Sequence, residues 1–121
     1  MTIVVWAGVV LIGGVGAVLR FLVDRAVSAR VARSFPYGTL VVNLSGALLL
    51  GFLSGLALPP NVALVAGTAF VGSYTTFSTW MLETQRLGEE RQIGPALANI
   101  FVSLVLGLAA AWLGLWIGVR V

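Results

Sequence analysis

The chain has 121 residues, 60% of them hydrophobic and only 9% charged, with a net charge of +3. A soluble domain this small has a large surface for its volume and carries about 25% charged residues to cover it. A soluble enzyme and a disordered chain are therefore excluded: with a mean hydropathy of +1.07, the solvent is lipid. The absence of cysteine and histidine removes disulfides, thiolate and imidazole catalysis and the commonest zinc ligand.

Residues 1–19 carry no charged side chain. That length suits a membrane helix of ~20 residues, expected over about 3–22. It lacks the basic start of a signal peptide and is too long for a typical apolar signal core. Its end reads Gly13-Gly14-Val15-Gly16-Ala17-Val18-Leu19-Arg20. No strand precedes these glycines and the segment belongs in lipid, so they are not a phosphate loop. Arg20 is read either as a snorkelling anchor or as a positive vestibule that draws anions.

Residues 34–82 are also uncharged and long enough for two helices. Pro59-Pro60-Asn61 divides them, because consecutive prolines remove backbone donors and favour a turn. The second helix is expected over about 39–58 and the third over about 62–82. In the second, Gly38-Thr39-Leu40-Val41-Val42-Asn43-Leu44-Ser45-Gly46 places an amide in lipid. Asn43 serves either as glue between helices or as a functional donor.

The third helix holds the densest polar cluster, Ser73-Tyr74-Thr75-Thr76-Phe77-Ser78-Thr79, in which all residues but Phe77 carry a hydroxyl. One or two hydroxyls satisfy themselves on their own helix carbonyls; this many exceed what packing needs. Gly72 beside Thr75-Thr76 suggests a broken helix, whose freed carbonyls can hold a cation. Phe70, Tyr74, Phe77 and Trp80 are spaced to share one helical face. Ring edges are electropositive. Edges, hydroxyls and one amide can solvate a small anion weakly enough for it to leave, as a channel requires. Glu83 ends this helix, either as an interfacial charge or as the mouth of the polar line.

Residues 92–119 are uncharged, which gives a fourth helix over about 95–119. Asn99, Ser103 and Gly107 recur every four residues and form one polar and small stripe. Gly51 and Gly55, and Gly114 and Gly118, form two GxxxG pairs whose expected use is packing within the chain. The fold class is thus an all-α membrane protein of four spans, a single transmembrane domain over residues 1–121.

All seven basic residues are arginines, and they stand at the ends of apolar runs. Lipid headgroups, not nucleic acid, are their expected partners. Arg20, Arg25, Arg30, Arg33, Arg86 and Arg91 fall on the side of the two polar loops, and Arg120 alone on the side of the termini. The positive-inside rule then puts the loops in the cytoplasm and both termini outside the cell membrane.

Three stretches together resemble the CrcB/Fluc family of fluoride channels: Gly13-Gly14-x-Gly16-Ala17-x-x-Arg20, Gly38-Thr39-Leu40-x-Val42-Asn43-x-x-Gly46 and Gly72-x-x-Thr75-Thr76-Phe77-Ser78-Thr79. They fall on three helices in family order, and the resemblance covers nearly the whole chain. It implies an antiparallel dimer with two narrow fluoride pores. The implied pore residues are Asn43 and Phe77, a polar track through Ser78, Thr79 and Glu83, and Asn99 and Ser103 on the fourth helix. It also implies a structural sodium ion at the dimer centre, held by backbone carbonyls at positions matching Gly72 and Thr75. Trp80 stands where the family has a second pore phenylalanine, and Asn99 where it often has tyrosine. Both departures fit members that work as unlike pairs with a paralogous subunit of opposite orientation.

The implied function is passive, fluoride-selective export. Two alternatives compete. A small proton-coupled multidrug-type exporter needs a carboxylate within the first helix, and none precedes Asp24. A non-conducting subunit, alone or as the silent half of a heterodimer, leaves the Ser73–Thr79 cluster without a purpose. Enzyme chemistry is not expected, because the membrane core has no acid, base or thiol.

Overall fold

The computed structural model describes residues 2–31 and 35–121. Arg33, one of the six arginines counted on the loop side, lies outside the described residues. Most of the described residues are helical. Helix α1 spans Ile3–Arg30 and starts where the Thr2 side chain accepts a hydrogen bond from Val5 N at 3.3 Å. It runs past residue 22 because nothing between Leu22 and Arg30 breaks a helix. Ser28 instead donates to Asp24 one turn back, at 3.4 Å. Helix α2 spans Tyr37–Gly55. The chain then reverses through Ala57, whose φ of 53° is left-handed, before a second helical run begins at Pro60.

That second run is not one helix. A single α turn, α3 (Pro60–Ala63), leads into a π-helical segment, Leu64–Val71, and a last short turn, α4 (Gly72–Tyr74). Thr75 is extended, with φ −82° and ψ 163°. Helix α5 (Ser78–Glu89) follows, and α6 (Ile93–Gly118) completes the fold. Among the described residues, three helices, α1, α2 and α6, are long and apolar enough to cross a membrane. Their outer faces carry exposed apolar side chains such as Val10, Phe21, Val105, Leu108 and Trp112, as lipid contact demands.

Helices α2 and α6 pack most closely. Glycine permits this: a Cβ at Gly51 would strike the Ala111 carbonyl, one at Gly114 the Leu48 carbonyl, and one at Gly118 the Phe52 carbonyl. The two GxxxG pairs therefore meet each other within one chain. A methyl group there pushes against backbone, which cannot rotate away. Gly114→Ala is expected to destabilise the fold by about 1–3 kcal/mol. Gly107→Ala on the same helix meets nothing within 4 Å and should be neutral. Thermal unfolding of both variants in detergent, followed by circular dichroism, checks the contrast; equal melting would refute it.

Helix α1 packs along the π segment. There Gly16 faces the Phe70 carbonyl, and Gly13 lies beside Ser73. The glycines before Arg20 thus bring α1 against the segment that leads into the polar cluster, and Arg20 arrives beside that segment's end.

Candidate functional site

The extended stretch at Thr75 is held open by side chains from two helices. In an unbroken helix the Thr76 N–H would bond the Gly72 carbonyl. Here it donates to Asn43 Oδ1 at 2.8 Å, and Asn43 Nδ2 donates back to the Thr76 carbonyl at 2.9 Å. One α2 amide thus replaces both helical partners of residue 76. On the other side, Arg20 Nε donates to the Ser73 carbonyl at 3.3 Å. Gly46 admits the Thr75 side chain, since a Cβ would strike Thr75 Cγ2. Thr75 itself bonds the Val71 carbonyl through both N and Oγ1, each at 2.9 Å. The Thr76 hydroxyl accepts from Thr79 N at 3.2 Å and so opens the first turn of α5. Of the backbone groups released by the break, Thr76 N, Thr79 N and the Ser73 and Thr76 carbonyls find side-chain partners.

The break divides the aromatic stripe. The sequence spacing placed Phe70, Tyr74, Phe77 and Trp80 on one face, which holds only for a continuous helix. Phe70 and Tyr74 instead form one stacked pair before the break, with centroids 5.9 Å apart. Phe77 and Trp80 form a second pair after it, 5.7 Å apart and nearly perpendicular at 83°. Tyr74 turns to α2, its hydroxyl 2.9 Å from Ser45 Oγ.

A cavity of about 320 Å³ opens beside the break, lined by Asn43, Leu50, Thr75, Thr76, Phe77 and Trp80 among others, none of them charged. The Phe77 ring is 70% exposed. Asn43 has two amide hydrogens, and one remains after the bond to Thr76. The cavity therefore offers one N–H and the Thr76 hydroxyl hydrogen beside two aromatic rings: a surface that can hold a small anion without fixing it by charge.

Toward the polar loops the track narrows. A second cavity of about 10 Å³, the volume of a single water, lies among Arg20, Asp24, Thr39, Val42, Thr76 and Thr79. Thr39 is 2% exposed. Its hydroxyl and Glu83 Oε1 are buried without hydrogen-bond geometry to any described group. Thr79 thus sits with Arg20 at one end of the site, Glu83 lies beside Thr39, and Ser78 stands exposed at the first turn of α5.

Asn99 and Trp80 meet each other. Trp80 Nε1 donates to the Asn99 carbonyl at 2.8 Å, and Asn99 Nδ2 donates to the Trp80 carbonyl at 3.3 Å and to Thr84 Oγ1 at 2.8 Å. Ser103, one turn further along α6, is half-buried. Three participants received no role from the sequence: Thr84, which stood in no motif, and Thr39 and Ser73, which stood in motifs without an assigned partner. Each is an ordinary residue made special only by what the fold sets against it.

The model of a family described as CrcB-like protein, Camphor Resistance (CrcB), matches residues 7–115. A relative named fluoride-specific ion channel FluC 2, from Mycobacterium tuberculosis (strain ATCC 25618 / H37Rv), is 73% identical over 117 residues, covering 97% of this chain and 93% of its own. A FluC 2 from Mycolicibacterium paratuberculosis is 74% identical over 113 residues, 93% of each chain. A FluC 1 from Leifsonia xyli subsp. xyli is 43% identical over 122 residues, 98% of this chain and 89% of that one.

Proposed function

The chain belongs to the CrcB-like family, and on that premise we propose that it is a subunit of a passive, fluoride-selective channel of the cell membrane. One observation carries the reading: the uncharged cavity at the break is lined by both Phe77 and Asn43, which keeps one amide hydrogen after its bond to Thr76. Fluoride is small and accepts hydrogen bonds strongly, so a few fixed donors can replace its water. Without a formal charge in the cavity the ion is not trapped. From the cavity the polar groups of Thr76, Thr79, Thr39 and Glu83 continue toward Arg20, which as a vestibule cation raises the local anion concentration. Residues from Pro60 to Leu82, broken at Thr75, form the fourth crossing.

The channel is an antiparallel dimer in this reading. The exposed Phe77 and the cavity's apolar rim at Leu50 call for a second subunit to cover them. The numbers 1 and 2 in the relatives' names fit a partner that is a paralogue of opposite orientation. A sodium ion at the dimer centre would be held by the Gly72 and Thr75 carbonyls. The donor set fits: the Thr76 N–H owed to the Gly72 carbonyl goes to Asn43, and Gly72 is exposed with nothing within 4 Å of a Cβ. The ion would supply a fixed positive charge joining the two copies.

The test is flux from liposomes holding the purified protein. Fluoride is expected to leave and chloride to stay, with no proton gradient required. Equal chloride release, or a strict need for a proton gradient, would overturn the reading.

A further inference from the structure

Asn99 and Trp80 both bring N–H groups to the neighbourhood of the cavity, and the family resemblance would count them among the groups that touch fluoride. Their hydrogen bonds argue otherwise. An asparagine amide has two hydrogens. Those of Asn99 go to the Trp80 carbonyl and to Thr84 Oγ1. What it has left is Oδ1, buried and without a partner among the described residues, and a carbonyl oxygen repels an anion. The single indole hydrogen of Trp80 goes to the Asn99 carbonyl. Thr84 in turn donates its own hydroxyl hydrogen to the Trp80 carbonyl at 2.9 Å. No donor in this group of three is free.

We propose that Trp80, Asn99 and Thr84 form a reciprocal clamp between α5 and α6, and that Asn99 is a positioning residue that never binds fluoride itself. This rests on the channel reading above and assigns roles within it. The indole ties α5 to the α6 main chain; the amide ties α6 to the α5 main chain. Together they fix the Trp80 ring across Phe77 at 83°, and so fix which part of the Phe77 ring faces the cavity. Asn99 is fully buried at 0% exposure, as a clamp should be and a pore lining should not.

Thr84→Val separates the two roles, because it removes the clamp's third member, a residue that does not itself line the cavity. Two readouts apply to the full chain: fluoride and chloride efflux from liposomes, and nitrogen-15 NMR of the indole N–H groups in detergent, with the Trp80 signal assigned by its loss in Trp80→Phe. The clamp predicts that the Trp80 indole hydrogen exchanges slowly with solvent and does not shift as sodium fluoride is added. Thr84→Val and Asn99→Leu each remove two of the clamp's four hydrogen bonds, and each should speed that exchange at least about tenfold. Each should slow fluoride efflux by a similar factor and weaken chloride exclusion, and the double variant should do no more than either alone.

Direct ligation predicts the reverse: a fluoride-dependent shift of the Trp80 indole, a silent Thr84→Val and a dead Asn99→Leu. Any of these overturns the clamp. If the wild-type chain passes no fluoride, the channel reading fails, and the solvent exchange of the Trp80 indole in Thr84→Val still decides whether the clamp exists.

Discussion

Replacing Asn43 with alanine is expected to abolish fluoride flux, with a loss of roughly 100-fold or more. The side chain does two jobs. It supplies both hydrogen bonds that hold residue 76 out of the helix, and it lines the cavity with one amide hydrogen unspent. Alanine strands the Thr76 N–H and C=O in a low-dielectric interior, where an unsatisfied buried group costs about 1–3 kcal/mol. The stretch can recover by closing into a continuous helix, with the Thr76 N–H returning to the Gly72 carbonyl. That closure would swing Phe77 back into line with Phe70 and Tyr74 and erase the cavity. Flux then falls by two routes at once, and each ~1.36 kcal/mol is tenfold in rate.

Asn43→Asp separates the two routes. It keeps an acceptor for the Thr76 N–H, so the break survives, but it removes the donor and places a negative charge in the path. It should therefore melt closer to wild type than the alanine variant and still pass no fluoride. Efflux at the wild-type rate from Asn43→Ala would show that neither job matters.

The sequence makes some of this architecture legible because lipid imposes strict rules. Uncharged runs of the right length announce α1, α2 and α6, and hydroxyls packed around Phe77 announce a site. What it hides is geometry that depends on contacts between distant residues. Helix α1 runs on to Arg30 because charge does not end a helix; only a breaker does, and none occurs. The π-helical stretch Leu64–Val71 has no signature in hydropathy, which reports which residues are apolar and not how widely the turn is wound. The aromatic stripe failed for the same reason, since a period of 3.6 assumes a backbone that does not bend at Thr75. Asn99 was legible as an unusual residue and illegible as a role: an amide in lipid reads as functional, and only the placement of Trp80 and Thr84 opposite it shows where its hydrogens go. Arg20 is half-way between. Its position at a helix end suggests an anchor or a vestibule, and its bond to the Ser73 carbonyl adds a third task, holding the end of the first half-helix.

A topology reporter fused to the C-terminus, read in cells that express only this chain, is expected to signal almost entirely from outside the cell. Charge placement sets the orientation. An antiparallel dimer of identical chains needs one sequence to insert in both orientations, and that requires an arginine balance near zero. Here Arg20, Arg25, Arg30, Arg33, Arg86 and Arg91 oppose Arg120 alone. The fold does not soften the count. Arg20 is committed to the Ser73 carbonyl, but dropping it leaves the bias intact. Arg120 is held at its own helix end, 3.9 Å over the Trp116 ring and bonded to the Trp116 carbonyl at 3.0 Å, a single charge pinned at the interface. Glu83, Glu89 and Glu90 lie near Arg86 and Arg91, but acidic residues count for little in this rule. Detergent-purified copies carry no imposed orientation and can pair antiparallel in liposomes. In cells the chain should insert one way, with both termini out, and an antiparallel channel there needs a second chain inserted the other way. Fluoride resistance is accordingly expected only when an oppositely oriented paralogue is co-expressed. Equal reporter signal on both sides, together with resistance conferred by this chain alone, would instead establish a self-sufficient homodimer and show that the arginine bias does not set its orientation.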